Sequence, residues 1–209
     1  MCIRDSYYTV TPAQKLWVQD SWQATPDLSF VGGVAYQYVE RDGNNLGSLY
    51  DKPEKRNTRY HQFLPNFSAK YQIDESNQAF YNVTRNMRTP PNYVLYNKGD
   101  SVSLKPELSW NQELGWRFTE DDVALSATLF YISFKDRQLS TTDLNGDYAV
   151  INVGKVDNKG LELEWSGLLP HHFNYYASYT YTQSEQKDNL LSKNAVSYTH
   201  LTLPTSDLV

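Results

Sequence analysis

Apolar and polar residues alternate one for one along most of this chain, a period of two that admits β-strands and excludes amphipathic helices. Phe173, Tyr175, Ala177, Tyr179 and Tyr181 share one face of such a segment, and Asn174, Tyr176, Ser178, Thr180 and Thr182 share the other. Leu161, Leu163 and Trp165 alternate with Glu162 and Glu164 just before it. The same pattern sets Leu108, Trp110, Leu114, Trp116 and Phe118 against Glu107, Asn111, Glu113 and Arg117. Further upstream it sets Phe63, Phe67, Ala69, Tyr71 and Ile73 against Asn66, Ser68, Lys70 and Gln72. Leu16 to Gln23 and Leu28 to Glu40 read as the first hairpin, although Asp20 interrupts the apolar face of its first strand.

The connections fall into two classes that strictly alternate. Turns near 24–27, 74–77, 119–122 and 167–171 are short, and those near 42–59, 89–105, 138–146 and 185–195 are longer and polar. A soluble sandwich also alternates its faces but has no reason to keep this order of connections. A transmembrane barrel does, with tight periplasmic turns at one rim and long extracellular loops at the other. Several strands, among them Val123 to Lys135, exceed the ~9–11 residues that cross a bilayer, whereas soluble strands cluster near ~5–6. With Tyr148 to Ser166 read as one descending strand, the count is eight. The expected fold is all-β, an open segment of an antiparallel up-and-down barrel.

Composition agrees. The chain has 17 Tyr, 8 Phe and 5 Trp, yet its mean hydropathy of −0.64 is polar, because lipid-facing residues alternate with lumen-facing ones. No run approaches the ~20 apolar residues of a spanning helix. A net charge of −5 with scattered basic residues speaks against a nucleic-acid partner. Cys2 is the only cysteine, so an internal disulfide is excluded.

No residues form a catalytic set, and no cofactor is implied. His171 and His172 fall in a short turn, where solvated side chains are the simpler reading. Asp143 to Asp147 spaces oxygen ligands like the start of a calcium loop, but Gly154 stands where the distal bidentate Glu belongs. Glu162 and Glu164 share one strand face and read as hydrated lumen. Trp110, Trp116, Trp165, Tyr175, Tyr179 and Tyr181 have the amphipathic rings that anchor a barrel at the bilayer interface.

Four phrases carry a more specific likeness. Leu104 to Gly115 resembles the "L-x-P-E-x-S-x-x-x-E-x-G" pattern of the TonB-dependent outer-membrane receptors. Ala79 to Pro91 is similar to that family's strand ending in "R-x-P". Ile151 to Glu164 is similar to its "N-x-G-x-x-x-x-x-G-x-E-x-E" strand, and Trp17 to Trp22 to its "f-v-Q-D-x-w". The likeness spans residues 10 to 184 in family order.

The resemblance implies a barrel of about 22 strands closed by a plug domain, importing a scarce nutrient, most often a ferric siderophore. Energy would come from an inner-membrane complex through TonB. Neither the plug nor the TonB box is among these residues, so the chain is expected to be a middle-to-late third of the barrel, spanning 7–195. Residues 1–6 and 196–209 resemble translated sequencing-adaptor read-through and are expected to be non-native sequence; residues 1–6 also lack the apolar core of a signal peptide, so the true start is expected to lie upstream. A ferric chelate is anionic, so cations and aromatic groups at the mouth are the candidate ligand contacts. Arg56 and Arg59 stand in the first long loop with Tyr50, Lys52 and Lys55; Arg88, Tyr93, Tyr96 and Lys98 stand in the next. Arg85 and Arg88 flank the strand-to-loop junction and are expected to face the mouth together. Outer-membrane lipid and lipopolysaccharide phosphates are the other expected partners of such loops.

Overall fold

The computed structural model describes residues 7–45, 54–91, 104–142, 148–169 and 173–188. Among these residues eleven strands run in chain order: β1 Tyr7–Val10, β2 Ala13–Gln23, β3 Leu28–Asn45, β4 Glu54–Gln72, β5 Asn77–Arg88, β6 Glu107–Glu120, β7 Val123–Lys135, β8 Gln138–Thr142, β9 Tyr148–Asn152, β10 Val156–Leu169 and β11 Phe173–Gln186. Nine of them make one sheet in the order β1-β3-β4-β5-β6-β7-β10-β11, with β2 also on β3. Every pairing is antiparallel. β1 and β2 lie end to end along β3, from Tyr7↔Asn45 down to Gln23↔Ser29, and are interrupted at Pro12, which has no N–H for a ladder. They fill one position in the wall, so the sheet has the eight positions that the periodicity predicts.

Two expectations need correction. The segment from Tyr148 to Ser166 is not one strand. β9 leaves the wall to pair with β8, from Gln138↔Asn152 to Thr142↔Tyr148, and β10 starts afresh at Val156. The break lies at Val153–Lys155, where Gly154 takes φ +81°, a left-handed conformation that glycine adopts without a side-chain clash. The first long connection is also shorter than 42–59. The β3–β4 ladder continues through Asp42↔Asn57 to Asn45↔Glu54, so Arg56 and Arg59 are strand residues. Polar composition hid this extension, because beyond a bilayer a hairpin has no apolar face to show.

The two faces of the sheet differ as lipid and water differ. Leu114 and Leu129 are direct partners across β6 and β7, and each is 56% exposed. Leu16, Phe63, Leu163 and Tyr179 share their face and are likewise exposed. The other face carries Gln37, Gln62, Asn82, Glu113, Glu162 and Thr180. A soluble sandwich would bury its apolar face under a second sheet; among the described residues the only other sheet is the β8–β9 hairpin. From Phe118 to Leu108 the outward residues span ten positions, which at ~3.3 Å per residue and ~40° of tilt is about 25 Å, the height of an apolar barrel band.

The short turns are self-contained. Asp74 accepts hydrogen bonds from the amides of Ser76 (2.9 Å) and Asn77 (2.9 Å) and from the Asn77 side chain (2.8 Å). The Asn77 side chain first, and the Ser76 amide second, hold the Asp74 carboxyl below the usual aspartate range. A depressed folded-state pKa means stabilisation that is present above the unfolded value and lost as pH falls through the folded one. Hydrogen-exchange protection of Ser76 and Asn77 is therefore expected to be retained at neutral pH and lost below the ordinary aspartate range, and Asp74→Ala is expected to remove that pH dependence.

Candidate functional site

Strand parity sorts the basic residues at the long-loop end. Arg88 pairs with Glu107 on the interior face, with Asn82 and Glu113 below it. Arg85, three positions earlier, pairs with Trp110 and points outward, its guanidinium 5.9 Å from that ring. The two arginines do not face the mouth together: an odd separation on a strand puts them on opposite sides. Pro65 explains where Arg85 goes. The β4–β5 ladder stops at Asn66↔Thr84, and in the gap this leaves between the strands the Arg85 guanidinium reaches the Phe63 carbonyl (3.4 Å) and the side chain of Gln62 from the interior face (3.3 Å).

Arg59 is also outward. It pairs with Glu40 on the ladder and makes a salt bridge to it at 3.6 Å. Tyr38 donates to the same carboxylate at 2.8 Å, and Asn57 donates to its other oxygen. The Asn57 amide and then the Tyr38 hydroxyl hold the Glu40 carboxyl below the usual glutamate range. Arg56 stands opposite Gly43 at an interior register position. Tyr93 and Tyr96, with Tyr50, Lys52 and Lys98, lie outside the described residues, as do His171, His172 and the Asp143–Asp147 stretch.

The interior face adds residues that composition did not single out. Arg41 donates to the hydroxyls of Thr11 (3.0 Å) and Thr89 (2.8 Å), drawing β3 toward the residue after Arg88. The Tyr60 hydroxyl donates to the Leu104 carbonyl at 3.2 Å. Lower down, Arg117 lies 4.2 Å from the Phe80 ring. The signal for Arg41 was its place in Glu40-Arg41-Asp42, where consecutive charges mark a strand leaving the bilayer. Glu162 and Glu164 are exposed at interior register positions.

All six aromatic anchor candidates lie on the outward face. Trp116, Trp165 and Tyr175 are near the short turns, with Trp116 donating to the Asn77 side chain at 3.0 Å and Trp165 to the Tyr175 hydroxyl at 3.0 Å. Trp110 is toward the long-loop end, and Tyr179 and Tyr181 stand between, opposite Leu163 and Leu161. Beside Trp110 a groove of about 420 Å³ opens on the outer wall, lined by Arg85, Lys135 and Lys155 together with Asp136 and Asp188.

Three of the four family-like phrases meet at this rim or brace the wall below it. Glu107 is buried and accepts from the Gln138 amide (2.9 Å) and the Arg137 guanidinium (3.3 Å). Asn152 pairs with the backbone of Lys105 in both directions, accepting from its N–H (2.9 Å) and donating to its carbonyl (3.2 Å). Gly115 and Gly160 lie directly opposite Phe80 and Phe130, whose rings cover them on the interior face.

An open wall of long antiparallel strands, apolar outside and polar inside, with aromatic residues along its outward face, defines a segment of an outer-membrane β-barrel. The sequence matches the family described as TonB dependent receptor-like, beta-barrel, over residues 3–207, and the chain belongs to that family. It is 27% identical over 160 residues to the pesticin receptor of Yersinia enterocolitica, covering 75% of this chain and 24% of that protein. It is 24% identical over 189 residues to an uncharacterized TonB-dependent receptor of Haemophilus influenzae, covering 87% of this chain and 51% of that protein. Among solved structures it superposes on the copper transporter OprC with a TM-score of 0.72 at 14% identity, covering 85% of this chain and 30% of that one. On the ferric yersiniabactin uptake receptor FyuA from Yersinia pestis the TM-score is 0.67 at 23% identity, covering 87% and 28%. The chain thus spans about a quarter to a half of the relatives it matches. These are outer-membrane receptors of Gram-negative bacteria, not enzymes.

Proposed function

We propose that this chain is part of the wall of a TonB-energised transporter that imports an iron chelate, a ferric siderophore being the leading class. The observation that carries the reading is the parity of the rim. Arg41 and Arg88 present cationic groups to the interior, on a wall that is otherwise a hydrated polar lumen. A carboxylate- or catecholate-rich ferric chelate is recognised by such groups through charge-assisted hydrogen bonds. The pesticin receptor and the ferric yersiniabactin receptor among its relatives support the class. Arg56, Tyr93 and Tyr96 are proposed to join this interior set, Arg56 on the strength of its register opposite Gly43.

The outward cations serve a different partner. Arg59, Arg85, Lys135 and Lys155 stand at the end of the apolar band, where the phosphates of lipopolysaccharide lie, and Trp110 marks that level. Arg59 and Arg85 are accordingly assigned to the lipid side rather than to the chelate.

The test is uptake of radiolabelled iron from ferric citrate, a ferric catecholate and ferric yersiniabactin by cells carrying the complete receptor, with and without functional TonB. Uptake of at least one chelate is expected to require TonB; uptake that survives loss of TonB would indicate a passive pore. Arg88→Ala is expected to weaken binding of the accepted chelate about tenfold, the equivalent of losing one charged hydrogen bond of ~1.5 kcal/mol. Arg59→Ala is expected to leave it unchanged.

A further inference from the structure

We infer that Asn152 and Glu107 are positioning residues that fasten the β8–β9 hairpin to the barrel rim, so that hairpin and rim present one fixed surface. Its bearing on chelate capture rests on the transport reading above; the fastening itself does not.

A two-stranded hairpin on its own is marginal in water, and among the described residues β8 and β9 pair only with each other. What fixes them is at their base. Asp136 at φ 54° and Gly154 at φ 81° turn the chain out of β7 and back into β10. Between these turns the backbone closes on itself, Arg137 donating to Gly154 (2.9 Å) and Val153 to Arg137 (2.8 Å). Val153 beneath them is 2% exposed.

Asn152 then does what a further peptide unit would do. Its planar amide accepts from the Lys105 N–H and donates to the Lys105 carbonyl, extending a sheet ladder that β9 has abandoned. The same Nδ2 also donates to the Asp136 carbonyl at 2.7 Å, and Gln138 donates to Lys105 at 3.0 Å. Glu107 closes the other leg through Gln138 and Arg137, and Arg137 is further held 4.0 Å from the Phe134 ring. On the far side Asp188 accepts from the Lys155 amide at 2.6 Å, and Lys187 donates to the Lys155 carbonyl at 2.8 Å. Three rim segments, 104–107, 136–138 with 152–155, and 186–188, are thereby joined into one body.

Only asparagine has the donor, the acceptor and the reach for this role. Aspartate would set a carboxylate against the carbonyls of Lys105 and Asp136. Alanine would take that side-chain amide from the Lys105 N–H and the Asp136 carbonyl and leave the Lys105 carbonyl to Gln138 alone.

The experiment is hydrogen exchange of the complete receptor in detergent, comparing wild type with Asn152→Asp, Asn152→Ala and Glu107→Gln. Exchange is followed separately for the two hairpin strands, Gln138–Thr142 and Tyr148–Asn152, and for β6 and β7. A nitroxide on Ser140→Cys reports hairpin mobility in parallel. Asn152→Asp is expected to speed hairpin exchange about tenfold or more, and to sharpen the nitroxide spectrum, with β6 and β7 unchanged. Asn152→Ala is expected to show a smaller effect of the same kind. Glu107→Gln, which keeps an acceptor for the Gln138 amide, is expected to loosen the hairpin least and to remain assembled. The inference is overturned if hairpin exchange is unaltered in both Asn152 variants, or if β6 and β7 loosen to the same degree. If the Asn152 variants do not assemble, an unaltered hairpin in Glu107→Ala, set against Glu107→Gln, overturns it equally. No readout needs a ligand, so a failed transport assay leaves this result standing.

Discussion

Replacing Gly160 with alanine is expected to prevent the receptor from accumulating as a folded barrel, and no change to the aromatic ring above it is expected to rescue the defect. A methyl at Gly160 would overlap the backbone carbonyl of Tyr181 as well as the Phe130 ring. Gly160 is the ladder partner of both Phe130 and Thr182, so moving that carbonyl means breaking the β10–β11 ladder in mid-wall. Gly115 makes the contrasting case. The three atoms nearest a methyl there all belong to the Phe80 ring. Gly115→Ala alone is expected to cost about 1–3 kcal/mol by overpacking. Gly115→Ala combined with Phe80→Ala is expected to recover assembly that Gly160→Ala with Phe130→Ala does not. The fraction of receptor showing the heat-modifiable, folded mobility on a gel measures both pairs. Equal rescue at the two glycines would show that ring crowding, not the backbone, decides.

The second large effect tests which face meets lipid. Leu129→Arg puts a charge near the middle of the apolar band and is expected to destabilise the barrel by about 2–4 kcal/mol. Thr128→Arg, one residue away and facing the hydrated interior, is expected to cost less than about 1 kcal/mol. Denaturant unfolding of the complete receptor in lipid vesicles measures both. Similar losses at the two positions would overturn the assignment of faces.

Much of this wall is legible in the residues. Leu108, Trp110, Leu114, Trp116 and Phe118 mark one face of β6 by their spacing alone, because a strand adjoining two solvents must alternate. The order of short and long connections follows from the same constraint. Parity also separates Arg85 from Arg88, since three is odd; nearness to the loop junction is no guide to which side of the wall a side chain takes. Where the constraint lapses, so does the pattern. Above the bilayer both faces of β3 and β4 meet water, so residues 42–45 and 54–59 carry no alternation and resemble loop.

The amino-acid order by itself determined that this chain builds a two-faced antiparallel wall, which residues face lipid, and which family it joins, because lipid on one side and water on the other impose a period of two on every strand. Only the tertiary structure decided that Tyr148–Asn152 leaves that wall, that the β3–β4 ladder runs on to pair Arg59 with Glu40, and that Asn152 closes on Lys105. Those outcomes depend on partners from 6 residues apart along the chain, Thr142 and Tyr148, to 47 residues apart, Lys105 and Asn152. Local pattern records the solvent each side chain meets, but not which distant backbone it will find.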